Sequence, residues 1–557
     1  MDWKRAAAEK RDSVLASFPK EWRIDAPPSA EAQRDVTGPF IQQYLSTKEI
    51  EITETEAVGI VDKASRGEWT ATEITKAFCH RAALAHQLVN CLHEVFFDDA
   101  IESARQLDKY LSTNGKPKGV LHGLPVSLKD QFHIKGVETH MGYVGWIGTF
   151  QGQRDTGKEK IFESEMVKEL RDLGAVLYCK TSVPHTLMCG ETVNNIVGYT
   201  FNPTNRHLST GGSSGGEGAL IALRGSPVGF GTDIGGSIRI PAAFNGLYGL
   251  RPSTGRLPYE GMANSFDGAP GVLSVVGPLA PNAGALRLVV KGILSREPWY
   301  YDPLVHELPY RAELEKATID LARSGRLCVA VMRHDRVCGV HPPVARALEK
   351  VVEVLKGEGH KVIDWEPSVH HERLVENIGK CYNFDGCRDG KKAFDLSGEE
   401  ISPQVMGPYV DLAPEFNATQ IMETMVEKRE LCKEYMDYWN STVKMTGTGR
   451  PVDAVLSPVA PFAAARPEKY TYYGYTSWVN TLDYSSAVVP VLKADKALDV
   501  VDASYKPVND DDRKTFEGYS PEIYHGAHVA VQLVGRRLQE EKVLALAEYV
   551  GGLLAQR

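Results

Sequence analysis

Residues 208–253 read LSTGGSSGGEGALIALRGSPVGFGTDIGGSIRIPAAFNGLYGLRPS, and this stretch decides the fold. Two glycine-flanked serine clusters, Gly211 to Gly216 and Gly235 to Ser237, enclose a middle of small and apolar residues. Glycine tolerates positive φ and lets the main chain approach a ligand closely. Successive backbone N–H groups in such loops converge on developing negative charge. A serine presented by glycines beside inward-pointing amides is what acyl transfer needs. Ala219 to Leu223 and Ile240 to Leu250 are too apolar for a linker, so the stretch belongs to a core. Gly218 to Arg224 reads as a helix entered from the first glycine loop, and Val228 to Gly231 as a strand leading to the second.

Working upstream, Gly123-Leu-Pro-Val-Ser-Leu-Lys129-Asp130 reads as a short buried strand bounded by Gly123 and Gly136. A lysine in such a run is costly unless it is neutral or paired; taken alone, a lysine snorkelling from a strand end explains it equally well. Phe162 to Leu170 reads as a helix and Ala175 to Lys180 as a strand, an order that predicts a mixed α/β sheet. The loop from Thr181 to Asn195 falls where a pocket wall is expected.

Three elements in this order resemble the amidase signature hydrolases. They are Gly211-Gly-Ser-Ser-Gly-Gly216, Gly231-Thr-Asp-Ile-Gly-Gly-Ser-Ile-Arg239 and the lysine segment ending Ser127-Leu128-Lys129, with 24 positions from Ser213 to Ser237. The likeness runs from about Ile50 to the end and is nearest the fungal acetamidase branch. It implies a single large α/β/α domain with a central mixed, twisted sheet surrounded by helices. It also implies three catalytic residues, with Ser237 as nucleophile, Ser213 as relay on a cis peptide after Gly212, and Lys129 as neutral base. Backbone N–H groups of Ile234, Gly235, Gly236 and Ser237 are then expected around the carbonyl oxygen, and Leu187 and Met188 along the acyl pocket. Such a mechanism needs no metal and no cofactor. The resemblance implies a small-molecule amide substrate, and relatives of this kind are commonly homodimers.

Composition sets the outer limits. The chain has 557 residues, 43% hydrophobic and 24% charged, as an ordinary globular protein has. A net charge of −9 without a basic stripe argues against nucleic acid as a partner. No apolar run approaches the ~18–20 residues of a membrane span. The N-terminus MDWKRAAAEKRDSV lacks the apolar segment of a secretory signal, so a cytoplasmic location is expected. The nine cysteines show no zinc spacing, neither at Cys381/Cys387 nor in the Cys79/Cys91/His93 group, and read as reduced core thiols. The sequons at Asn417 and Asn440 are then without meaning.

Residues 1–50 read as a helical arm and 51–557 as the amidase domain, with the motif region at 120–260 and a C-terminal half, 320–557, completing the same sheet. From Thr53 two helices are expected, capped by Thr53 or Thr70, and Ala100 to Leu111 is a third, closed by Gly115. Residues 257–325 read as surface connections and helices. Leu327–Met332 and His360–Trp365 read as strands around a Pro343–Gly357 helix, a possible βαβ unit taken here as part of the large domain. A long helix is expected over Thr419–Thr446. Ala454–Pro458 and Ala487–Val491 read as strands ended by proline, Val529–Val534 as a strand, and Glu540–Leu554 as a helix.

The remaining candidates have plainer readings. Ser214 is expected to order its loop, Asp233 and Arg239 to pair across the turn, and His122, His133 and His185 to be structural. Tyr143, Trp146, Tyr472, Tyr473, Tyr475 and Trp478 are candidates to line a flat acyl pocket, with core packing the simpler reading. An α/β-hydrolase elbow at Gly211–Gly215 is excluded by the polar, proline-broken residues before it. A phosphate loop lacks its G-K-[ST] ending, and Ser441-x-x-Lys444 lies in a charged helix. The expected activity is hydrolysis of a carboxamide through an acyl-enzyme, acetamidase-like on small aliphatic or aryl primary amides. A fatty-acid-amide or indoleacetamide hydrolase, or an ammonia-supplying amidotransferase subunit, would use the same residues.

Overall fold

In the computed structural model, which describes residues 2–366 and 370–556, the apolar run before Lys129 is a strand buried at every position. In chain order the strands are β1 (Leu92–Val95), β2 (Pro125–Lys129), β3 (Val176–Thr181), β4 (Val193–Asn194), β5 (Gly198–Tyr199), β6 (Gly229–Asp233) and β7 (Tyr248–Arg251). They continue as β8 (Val275–Ala280), β9 (Cys328–Val331), β10 (Lys361–Asp364), β11 (Ala454–Pro458), β12 (Ser486–Lys493) and β13 (His528–Val534). All but the β4–β5 hairpin share one eleven-stranded sheet, in the order β1-β3-β2-β6-β8-β7-β12-β13-β11-β9-β10. Its β3-β2-β6 and β11-β9-β10 segments are parallel and its other pairings antiparallel, so the sheet is mixed. Helices surround it, as the α/β reading expects.

The parallel centre fixes the site. Ser127 lies opposite Gly229 and Leu128 opposite Phe230, so β2 and β6 deliver Lys129 and Asp233 to the same edge. Ligands in α/β sheets bind outside the carboxyl ends of such strands. The Gly215–Ala222 helix that follows the first glycine loop is buried through Ile221. A Cβ on Gly216 would strike the backbone N–H of Ser182, so only glycine lets this helix lie against the end of β3.

Several boundaries differ from the sequence reading. Thr53 lies inside a Thr47–Glu54 helix that Ser46 and Glu49 already close with a capping box, whereas Thr70 does cap Ala71–Val89 by accepting from Glu73 N–H at 3.0 Å. The helix expected from Phe162 starts at Glu165, and the one expected over 100–111 spans Phe97–Asn114 before Gly115. The long C-terminal helix is divided into Ala418–Ser441 and Val443–Thr446. Residues 257–325 contain β8, a strand near the middle of the sheet. Proline does not end β12 but lies within it, where Pro490 and Leu492 flank a register shift. In the unit formed by β9, the Pro342–Gly357 helix and β10, β9 pairs with β11 in the common sheet.

Candidate active site

Lys129 ends β2 with no exposed surface, and burial alone would pull its ammonium toward neutrality. Its Nζ donates to Ser213 Oγ and to Thr232 Oγ1, both at 2.7 Å. Thr232 in turn donates to Gln131 Oε1 at 2.5 Å, so its hydroxyl hydrogen is committed and its lone pairs face the lysine. Burial lowers the lysine pKa to about 7, against the attraction of the Asp233 and Glu217 carboxyls. Glu217 adds to that attraction only weakly, because burial raises its pKa to about 8 despite hydrogen bonds from Ser127 (2.6 Å) and Thr181 (2.9 Å).

The Gly212–Ser213 peptide is cis. Ser214 N–H donates to the Ser237 carbonyl at 3.1 Å, which ties the two glycine loops together. Ser214 Oγ sits across the main chain of Thr232, bonded to its N–H and C=O at 3.3 Å, the loop-ordering role expected of it.

Beyond β6 the chain turns sharply around Asp233. Burial pushes that carboxyl up, but Arg239 outweighs it, with Nε at 3.0 Å and Nη2 at 3.1 Å, and holds it well below the usual carboxylate range. Asp233 also accepts from Gly236 N–H at 2.9 Å and Ile238 N–H at 3.2 Å. The carbonyls of the turn are held as well: Tyr382 donates to Ile234 O at 2.7 Å and Thr476 to Gly235 O at 2.6 Å. Among the described residues this leaves the N–H groups of Ile234, Gly235 and Ser237 without an acceptor. Gly236, expected as a further donor, is committed to Asp233 and is not free in this geometry. Its φ of +131° and the nearness of Thr476 require glycine there.

Ser237 Oγ makes no hydrogen bond among the described residues, and the residue is 8% exposed. It opens onto a mostly apolar cavity of about 230 Å³, whose wall also includes Leu187, Met188, Gly212, Ile234 and Gly235. Lys129 and Ser213 are thus in contact behind the wall, and Ser237 stands at its surface. Part of the wall is a helix, His370–Tyr382, that sequence reasoning missed. Of the aromatic candidates only Tyr473 lines the cavity. Tyr472, Tyr475 and Trp478 belong to a buried cluster with Trp439, and Tyr143 and Trp146 pack beside Phe394. The lysine's partners Thr232, inside the quoted second motif, and Gln131, next to Asp130, were also missed.

The three histidines have structural surroundings: His122 accepts from Lys118 N–H, His133 stacks on Phe150 and His185 contacts Ser402. His93, Asp130 and His140 bring potential ligand atoms within 4.8 Å of one another. Lys180 Nζ already lies 2.7 Å from Asp130 and supplies the positive charge a cation would bring. The cysteines are all unpaired. Ser441 and Lys444 are exposed on the long C-terminal helices.

A sheet edge carrying a buried lysine behind a glycine-turn serine brings together the kinds of group that acyl transfer needs. The family model described as Amidase matches residues 73–544, and the chain belongs to that family, the amidase signature hydrolases. It is 46% identical over 552 residues to an acetamidase of Aspergillus oryzae, covering 99% of both chains. To an acetamidase of Emericella nidulans it is 44% identical over 552 residues, covering 99% of this chain and 98% of that one. Among solved structures, a fatty acid amide hydrolase superposes with a TM-score of 0.90 at 34% identity, covering 99% of this chain and 95% of the other. The protein is an amide hydrolase. Among its described residues no helix is long and apolar enough to cross a membrane.

Proposed function

We propose that the protein hydrolyses small primary carboxamides, aliphatic or aryl, to the carboxylate and ammonia through an acyl-enzyme on Ser237. The observation that carries the reading is the 2.7 Å bond from a buried, near-neutral Lys129 to Ser213, behind the serine of the cavity wall. Ser237 Oγ attacks the amide carbon and its proton passes through Ser213 Oγ to neutral Lys129 Nζ. The oxygen gains negative charge and is received by the N–H groups of Ile234, Gly235 and Ser237. Collapse breaks the C–N bond, and the proton returns by the same path so that ammonia leaves. Water then attacks the ester, gives its proton to Lys129 through Ser213, and the serine is restored as the acid departs.

The relay requires Ser213 and Ser237 to meet once substrate is seated, and catalytic hydrogen bonds commonly tighten at that stage. The acetamidase relatives favour small acyl groups, and so does a cavity below the ~300–1,000 Å³ of sites for drug-sized ligands. A fatty-acid-amide substrate is the second reading, favoured by the 0.90 TM-score to a fatty acid amide hydrolase. Ammonia release from purified protein over amides of rising acyl size, with Ser237→Ala as blank, tests both. Turnover of acetamide with none of long-chain amides supports the first reading; the reverse order overturns it. Activity without a partner subunit excludes a role limited to supplying ammonia to one.

A further inference from the structure

The His370–Tyr382 helix lines the cavity at Ser237 with Val375, Ile378, Gly379 and Tyr382, the i, i+3, i+4, i+7 face of one helix. Its position is fixed on several sides. Tyr382 holds the carbonyl of Ile234, Asn377 Nδ2 donates to Thr424 O at 3.1 Å, and Thr481 Oγ1 donates to Leu374 O at 3.3 Å. Ile378 is 2% exposed and packs against Val272, Cys381 and Phe384. A wall anchored in this way cannot recede to admit substrate, so its shape is set by the side chains it carries.

Gly379 is the exception on that face. It lies inside the helix, where glycine is disfavoured relative to alanine, and its φ is not positive. A Cβ built on it meets no atom within 4 Å, so neither backbone conformation nor packing demands glycine. The missing side chain leaves open space where this helix lines the cavity that Ser237 faces. Ammonia needs almost no room as a leaving group, and the free volume therefore falls to the acyl group.

We propose that Gly379 is a specificity-determining residue, whose absent side chain makes room for the acyl chain of the amide and sets the longest chain accepted. The proposal rests on the amide-hydrolase reading of the cavity at Ser237. Adding atoms at 379 removes acyl space without touching the reacting groups, so discrimination changes with chain length. Hydrophobic pockets discriminate by about 10–200-fold for one methylene-sized difference.

The experiment measures kcat/KM by ammonia release for the full-length protein, Gly379→Ala and Gly379→Val, over acetamide, propionamide, butyramide and hexanamide. The ratio of hexanamide to acetamide kcat/KM is expected to fall at least about tenfold in Gly379→Val, with Gly379→Ala between it and the parent. The melting temperature of Gly379→Ala is expected at or above the parent's, since alanine is the better helix residue. A ratio unchanged by either substitution overturns the proposal. So does a parent protein that hydrolyses acetamide and none of the longer amides, because the space at 379 then serves no acyl chain. Turnover remaining in Ser237→Ala counts against the nucleophile and not against this proposal, since chain-length discrimination is read whichever group attacks.

Discussion

Lys129 combines burial, two hydroxyl partners and a pKa near 7, and each of these is open to a separate measurement. Its folded pKa lies below the ordinary 10.5, so the neutral base accumulates as pH rises through about 7 and disappears as pH falls below it. A plot of kcat/KM against pH should therefore rise through an acid limb near pH 7 and level off above. A flat profile from pH 5.5 to 8 would exclude this lysine as the base. Lys129→Met is expected to lower kcat/KM at least about a thousandfold, with a melting temperature within a few degrees of the parent's, because an apolar chain replaces a buried amine. The bond to Thr232 favours the charged lysine more than the neutral one. Thr232→Val should accordingly move the acid limb down by about one pH unit, the worth of one hydrogen bond to a charged group. A limb that stays put or moves up contradicts that account.

At the scale of elements, the turn after β6 has its Ile234 and Gly235 carbonyls held by Tyr382 and Thr476, and the proposed mechanism uses the N–H groups this leaves free. Tyr382 is a positioning residue in this scheme, acting through Ile234. Tyr382→Phe keeps the ring in the wall and removes only the bond to that carbonyl. Its kcat is expected to fall roughly tenfold with KM little changed, well short of the 10²–10³-fold cost of deleting an oxyanion donor itself. A change in KM alone would mean that Tyr382 merely lines the cavity. This wall also marks the limit of what the sequence reveals. The strands β2, β3, β11 and β13 are apolar runs with clear ends, and the motif serines and lysine are named by their glycine surroundings. By contrast β8 reads VVGPLA, and Gly277 and Pro278 disguise it. Pro278 lies opposite Phe230 of β6, whereas β7 pairs only with Leu279 and Ala280 on the other side. The helix His370–Tyr382 mixes His, Glu, Arg, Asn and Lys among few apolar residues, so its short apolar stripe does not stand out in the sequence. Gly236 illustrates the same limit. Its place in the Gly-Gly-Ser turn suggests an oxyanion donor, and only the fold reveals that Asp233 takes its N–H.

Across the whole molecule, the first helix is joined to the core that carries the lysine. Trp3–Ala16 lays Lys10 against Glu94 of β1 and Glu138, with Nζ 2.9 Å from Glu138; Glu94 also contacts His140, which neighbours Asp130. Lys10 is largely buried, and its pKa is nonetheless raised: burial lowers it, and Glu94 and Glu138 together overcome that. Burial likewise pushes Glu138 up, and Lys10 brings it below its ordinary value. The signs define a window. The raised lysine contributes stability below its unfolded value of 10.5 and loses it as pH climbs past that, while the lowered carboxylate contributes above its unfolded 4.5 and loses it as pH drops. Lys10→Met leaves Glu94 without its lysine and Glu138 with Lys160 alone, 3.3 Å away, and is expected to cost about 2 kcal/mol in urea unfolding. The gap from the parent should hold between pH 6 and 9 and narrow below about pH 4 as the carboxylates protonate. Because the ion pairs do not touch Lys129, the acid limb of kcat/KM near pH 7 should be the same in both proteins. A variant as stable as its parent at neutral pH would show that the arm rests on the core by apolar contact alone. One whose acid limb moves would show instead that charge at the arm reaches Lys129.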